Sequence, residues 1–215
     1  MGAKTSMLVY SLANASDALR NGPLLDRETS TKLASQLFPN EKLIELEDSH
    51  LAWTCPPDDE IRIGCFSGVS IVAAKEFRIG CPSQIIPRFL RSDRGANVTL
   101  HAMHSVVDWF AFAHWKDERL VRSLSLSPDS GLLEDTGERL AFEIPYWLGQ
   151  HPAIDEDDGE SQYPFPFHPL ELGEAALKEF FGYQLEGMID DSLIDPENIP
   201  LMSFRRKKSI WKFWR

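Results

Sequence analysis

His101, His104 and Asp108 are the residues whose types and spacing come closest to a reactive group. A His-x-x-His pair can hold a metal or exchange a proton when both rings share a helical face. On an uninterrupted strand the odd spacing sends the rings to opposite faces. A turn at His104 would bring them together, and Asp108 would then orient an imidazole. The chemistry implied is hydrolase-like, with one histidine as general base. Ser105 lies beside them but lacks the G-x-S-x-G elbow of a serine nucleophile.

The remaining reactive types offer less. Cys55, Cys65 and Cys81 are odd in number and contain no C-x-x-C pair, so neither a disulfide framework nor a zinc site is expected. Free thiols point to a reducing compartment, so a cytoplasmic location is expected. The run Asp155-Glu156-Asp157-Asp158-Gly159-Glu160 lacks the calcium-loop spacing and reads as a solvated loop. Gly2-Ala3-Lys4-Thr5 lacks the leading glycine of a phosphate loop. No cofactor or metal is expected. His114, set among aromatics on a strand, reads as a packed residue with one hydrogen bond. His168, before Pro169, suits the cap of a helix.

A second group of residues does a different kind of chemistry, that of attachment. Arg205, Arg206, Lys207 and Lys208 are followed by Trp211, Lys212, Phe213 and Trp214. Residues 205–215 carry six bases and no acid, whereas the whole chain has a net charge of −11, which leaves −17 on residues 1–204. Residues 151–200 alone hold thirteen acids against Lys178. Aromatic rings settle at the headgroup level of a bilayer, and bases are drawn to anionic lipid. Trp and Arg also dominate protein interfaces. The segment therefore suits an anionic membrane surface or a protein partner, with docking onto the acidic part of its own chain as the alternative. An acidic body repels phosphate backbones, so no nucleic-acid partner is expected.

These residues must be positioned by a fold whose pattern alternates strands and helices. The 215 residues, 43% hydrophobic, suffice for one domain with a substantial core. Lys4–Ser11 is nearly continuous in apolar character, as in a strand covered on both faces. A short helix over 15–20 and a second from the Asp26 cap to Phe38 follow, the latter with Leu33, Ala34, Leu37 and Phe38 as its buried stripe. Strands are expected over 42–47, 60–66 and 69–77, the last two joined at Ser67-Gly68. A short helix is expected over 83–91. Strands over 97–103, 109–115 and 119–126 come next, the last two forming a hairpin around Lys116-Asp117-Glu118. A strand over 140–144 and a helix from Pro169 to Phe181, stopped by Gly182, complete the pattern.

The fold class expected is α+β: a mixed, mostly antiparallel sheet of about seven strands with helices packed on it. Residues 1–187 form the domain, 188–204 an irregular linker and 205–215 a basic-aromatic tail.

Several segments carry a resemblance. His101-Ala102-Met103-His104-Ser105-Val106-Val107-Asp108-Trp109, Arg122-Ser123-Leu124-Ser125-Leu126-Ser127-Pro128-Asp129, and Phe165-Pro166-Phe167-His168-Pro169-Leu170-Glu171-Leu172-Gly173-Glu174 resemble an uncharacterised bacterial domain family of unknown function. So do Met1–Thr5 and Gly137–Trp147. The resemblance spans residues 1 to about 182 and implies no activity. At the level of fold alone the hairpins are similar to small immunity-type domains. Three functions follow as expectations. The first is a non-enzymatic binding or adaptor protein, cytoplasmic and peripheral at a membrane, attached through the tail. The second is a small hydrolase using His101, His104 and Asp108. The third is an immunity-type protein that neutralises a basic partner.

Overall fold

A computed structural model describes residues 2–20, 22–91, 95–153, 163–187 and 192–208. Its centre is a ten-stranded sheet, in which every strand pair is antiparallel. The strands are β1 (Lys4–Ser11), β2 (Glu41–Glu45), β3 (Ser49–His50), β4 (Glu60–Phe66), β5 (Val69–Ala73), β6 (Asn97–His104), β7 (Trp109–Lys116), β8 (Arg119–Ser127), β9 (Gly131–Gly137) and β10 (Pro200–Lys208). The order across the sheet is β2-β10-β4-β5-β1-β6-β7-β8-β9, with β3 also paired to β10.

Both faces of the middle strands are covered, as the continuous apolar run of β1 requires. Met7 and Val9 enter one core, while Leu8 and Tyr10 enter the other. Helices α1 (Ala15–Arg20) and α4 (Pro169–Phe181) and the segment Tyr163–Phe167 pack on the first face. Helix α2 (Arg27–Leu37) and the 3-10 turns around Phe77 and Phe89 pack on the second.

Local chemistry sets several boundaries. Asp26 caps α2, its Oδ1 accepting from the Thr29 N–H at 2.9 Å. Pro169 opens α4, the His168 ring accepts from the Leu170 N–H, and Gly182 ends the helix at φ 76°. The β7–β8 hairpin turns on Asp117 and Glu118, at φ 48° and 62°. Two consecutive positive values make a tight turn whose twist matches its strands.

Four expectations need correction. Residues 140–144 form a turn leading into α3 (Ile144–Trp147), because the Glu143 carboxylate is drawn beneath the sheet. The strand that pairs with β8 is instead β9, whose Glu134 and Asp135 turn inward to Ser123 and Arg122. Residues 83–91 contain 3-10 turns at Pro82–Gln84 and Pro87–Phe89 in place of one helix, each proline starting a new turn. The largest correction concerns residues 200–208, expected as the end of the irregular linker 188–204 and the start of the basic-aromatic tail 205–215. Pro200–Lys208 is β10, inserted between β2 and β4 with Leu201, Met202 and Phe204 buried.

Candidate functional site

Antiparallel pairing collects six chain segments at one end of the sheet. Arg205 of β10 lies opposite Glu60 at the start of β4, and Arg62 lies opposite Ala73 at the end of β5. Ala73 pairs with Met7, Lys4 at the start of β1 pairs with His104, and His104 pairs with Trp109. The bases of β10, Lys4 and His104 therefore share one sheet end.

Strand pairing leaves Arg205 exposed and draws Arg206 almost out of solvent, and each finds carboxylates across the sheet. Arg205 Nη2 is 2.9 Å from Glu60 Oε1, and its Nε is 3.6 Å from Asp59. Arg206 is only 8% exposed along its side chain. It donates to Glu41 through Nε and Nη2, the latter at 2.6 Å, and to Glu76 through Nη1 at 2.9 Å. Its guanidinium also sits 4.8 Å from the Phe38 ring centre. The hydrogen bond from Arg206 pulls the Glu41 carboxyl below its ordinary range, and Glu41 in turn holds the guanidinium protonated. These two arginines bind their own domain.

The lysines at this end are arranged differently. Lys42, Lys75 and Lys207 are exposed and make no ion pair among the described residues. Lys42 and Lys207 are direct cross-strand neighbours, a like-charge pairing that destabilises a sheet when isolated. Lys75 and Arg88 act electrostatically on Glu41, which places them nearby. The acids Glu41, Glu76, Asp59, Glu60 and Asp58 are each engaged by an arginine. The result is a basic rim on an acidic protein. Lys208 ends β10, opposite Glu41. Trp211, Lys212, Phe213 and Trp214 lie outside the described residues, as does the acidic run 155–160.

The structure does not bring His101, His104 and Asp108 together. β6 runs unbroken through His104, so the pleat sends His101 toward α4 and His104 to the opposite face. His101 is fully buried between β1 and α4. Its Nε2 lies 3.0 Å from the Gly173 carbonyl, which can only accept, so Nε2 carries the proton. Nδ1 then accepts from the Thr5 hydroxyl at 2.7 Å. Burial pushes this imidazole down to about 4, so it remains neutral. Asp108, at φ 44° in the turn, accepts from the Tyr163 hydroxyl at 3.1 Å and lies 3.9 Å from His168. Burial first, then that bond, pushes the Tyr163 phenol up to about 12. Each of the three side chains has its own structural partner, and the expected catalytic constellation is absent. His114 has one ring bond, to Thr99 at 2.9 Å, and stacks on Phe180.

Sequence reasoning missed the residues that complete the rim. Lys42, Lys75 and Arg88 are scattered along the chain, and only the insertion of β10 beside β2 gathers them. Among the described residues no cluster of His, Cys, Asp or Glu could hold a metal. No helix among them is long and apolar enough to cross a membrane.

Comparison with curated proteins and with solved structures found no match in either. A family model does match, over residues 5–204, and this range runs past residue 182 to include most of β10. The match takes in Pro200–Phe204 of β10 and stops before Arg205, and the chain belongs to DUF6928, a family of unknown function.

Proposed function

We propose that this protein is a non-enzymatic binding protein that attaches peripherally to an anionic membrane surface. The basic rim and residues 209–215 together form the attachment surface. The observation carrying the reading is the grouping of Lys42, Lys75 and Lys207 around the end of β10, where Lys208 leads into a segment with three aromatic residues. Each base close to an anionic leaflet contributes about 1 kcal/mol, and aromatic rings anchor at the interface. Arg205 and Arg206 hold the strand in the sheet, leaving the lysines to meet lipid. The acids of α4, Glu171, Glu174 and Glu179, belong to a helix packed over β6 and β7, on the far side of β1 from β10 in the strand order, and that distance along the sheet lets an acidic protein present a basic side.

Co-sedimentation with phosphatidylcholine vesicles, with and without phosphatidylserine, tests the reading. The full chain should sediment only with the phosphatidylserine vesicles, and less so as salt rises. Trp211→Ala with Trp214→Ala, and separately Lys42→Glu with Lys75→Glu, should each reduce bound protein severalfold. Failure of the full chain to sediment, or equal sedimentation with both vesicle types, overturns the proposal.

A further inference from the structure

A cavity of about 420 Å³ opens at the same sheet end, lined by Cys55, Arg78, His104, Val107 and Trp109, with Thr5 and Met103 at its base. That volume lies in the range of small-molecule sites. Lys4, His104 and Trp109 are paired in register across β1, β6 and β7, so the three side chains stand in one row on one face. The Trp109 indole is fixed by its Nε1–H bond to Ser125 Oγ at 3.1 Å. The His104 Nδ1 accepts from the Val106 N–H, which leaves its Nε2–H as a donor.

The charge lining this cavity is positive. Arg78 is held at its outer nitrogens by Asp58 at 2.9 Å and by the Pro56 carbonyl. Its Nε is buried and has no acceptor among the described residues. Burial, followed by the charges of Lys4 and Arg78, lowers the His104 pKa, so both bases act on the same small region. Asp58, committed to Arg78, is the acid in contact with this group. The other wall is apolar, formed by Val107, half exposed, together with the Trp109 ring.

We propose that this cavity binds a small amphipathic carboxylate. The carboxylate accepts from His104 Nε2–H in the field of Arg78 and Lys4. The apolar body lies against Trp109 and Val107. Charge-assisted bonds give the carboxylate its advantage over a neutral head group. The site is separate from the proposed lipid surface, since it needs neither vesicles nor residues 209–215.

Titration of the full chain with sodium octanoate below its micellar concentration, followed by amide and indole NMR, tests this directly. Octan-1-ol and acetate serve as comparison ligands. Octanoate should shift the Trp109 indole N–H and the Val107 and Gly80 amides in a saturable way, at least tenfold tighter than either comparison ligand. His104→Leu, which removes one ring bond and leaves β6 paired, should weaken octanoate at least fivefold. Arg78→Gln should weaken it further, with folding checked by the same spectra. Equal binding of octanoate and octan-1-ol overturns the proposal. So do shifts confined to other tryptophans, or unchanged affinity in the His104 variant.

Discussion

The guanidinium of Arg122 and the carboxylate of Glu143 form a two-pronged pair with no exposure to solvent, Nε lying 2.9 Å from Oε1 and Nη2 2.7 Å from Oε2. Arg122 also meets Asp135 and the Thr136 and Gly137 carbonyls, so its donors are spent within the protein. Glu143 Oε1 accepts in addition from the Leu140 N–H at 2.8 Å. The pair thereby ties β8, β9 and the turn before α3 into one unit. Removing one partner strands a buried charge, whereas removing both does not. Arg122→Met should therefore lower stability by about 3–5 kcal/mol in urea melts. Adding Glu143→Leu should recover much of that loss. A double variant no more stable than the single one would contradict this account.

Two buried groups titrate in opposite senses. Burial pushes the Glu174 carboxyl up to about 7, with the N–H groups of Leu185 and Glu186 opposing the rise. It therefore contributes stability at low pH that is lost as pH rises from about 4.5 through 7. His101, pushed down to about 4, contributes stability above its ordinary 6.5 that is lost as pH falls toward 4. Between roughly pH 4.5 and 6.5 the two slopes offset each other. Glu174→Gln should unmask the histidine, so that the variant loses on the order of 2–4 kcal/mol relative to wild type as pH falls from 7.5 to 4.5. Parallel urea-midpoint profiles for the two proteins would rule this out.

The position of β10 dictates where the chain can be shortened. A version ending at Ser203 loses Phe204, which is 3% exposed, and the Arg205 and Arg206 ion pairs. It should fail to give a cooperative thermal transition. A version ending at Lys208 keeps every β10 pairing with β2 and β4, and should melt within a few degrees of the full chain. Differential scanning calorimetry on both separates the strand from the residues beyond it.

Arg206 bridges Glu41 and Glu76 from a nearly buried position. Arg206→Ala should cost about 2–4 kcal/mol, since two partly buried carboxylates lose their donor and Phe38 its cation. Lys207→Ala, on an exposed side chain, should change stability by less than about 0.5 kcal/mol. Similar losses from the two substitutions, read by urea denaturation, would refute the division of labour between arginine and lysine.

Gly137 sits at φ 85°, and a Cβ built there falls 2.1 Å from the Val121 carbonyl oxygen. Both the backbone angle and the neighbouring strand exclude a side chain. Gly137→Ala should destabilise by about 2–4 kcal/mol, and amide exchange should quicken first in β9. Unchanged protection of β9 would show that the edge accommodates the shift.

The sequence by itself determined the elements whose cues are local. The α2 cap at Asp26, the proline start and glycine stop of α4, and the β7–β8 hairpin all follow from residues within a few positions of one another. The two-sided burial of β1 was legible for the same reason, as a continuous apolar run. Tertiary structure alone decided what depends on distant charges. Arg205 and Arg206 read as a solvated tail because nothing nearby in sequence neutralises them, yet Glu41, Glu60 and Glu76 do so across the sheet. Arg122 and Glu143 likewise look like surface residues until they meet. The parity of β6 separated His101 from His104, because no turn interrupted the strand before residue 104. A charge's cost of burial is set by its partner, and local sequence does not reveal a partner more than a hundred residues away.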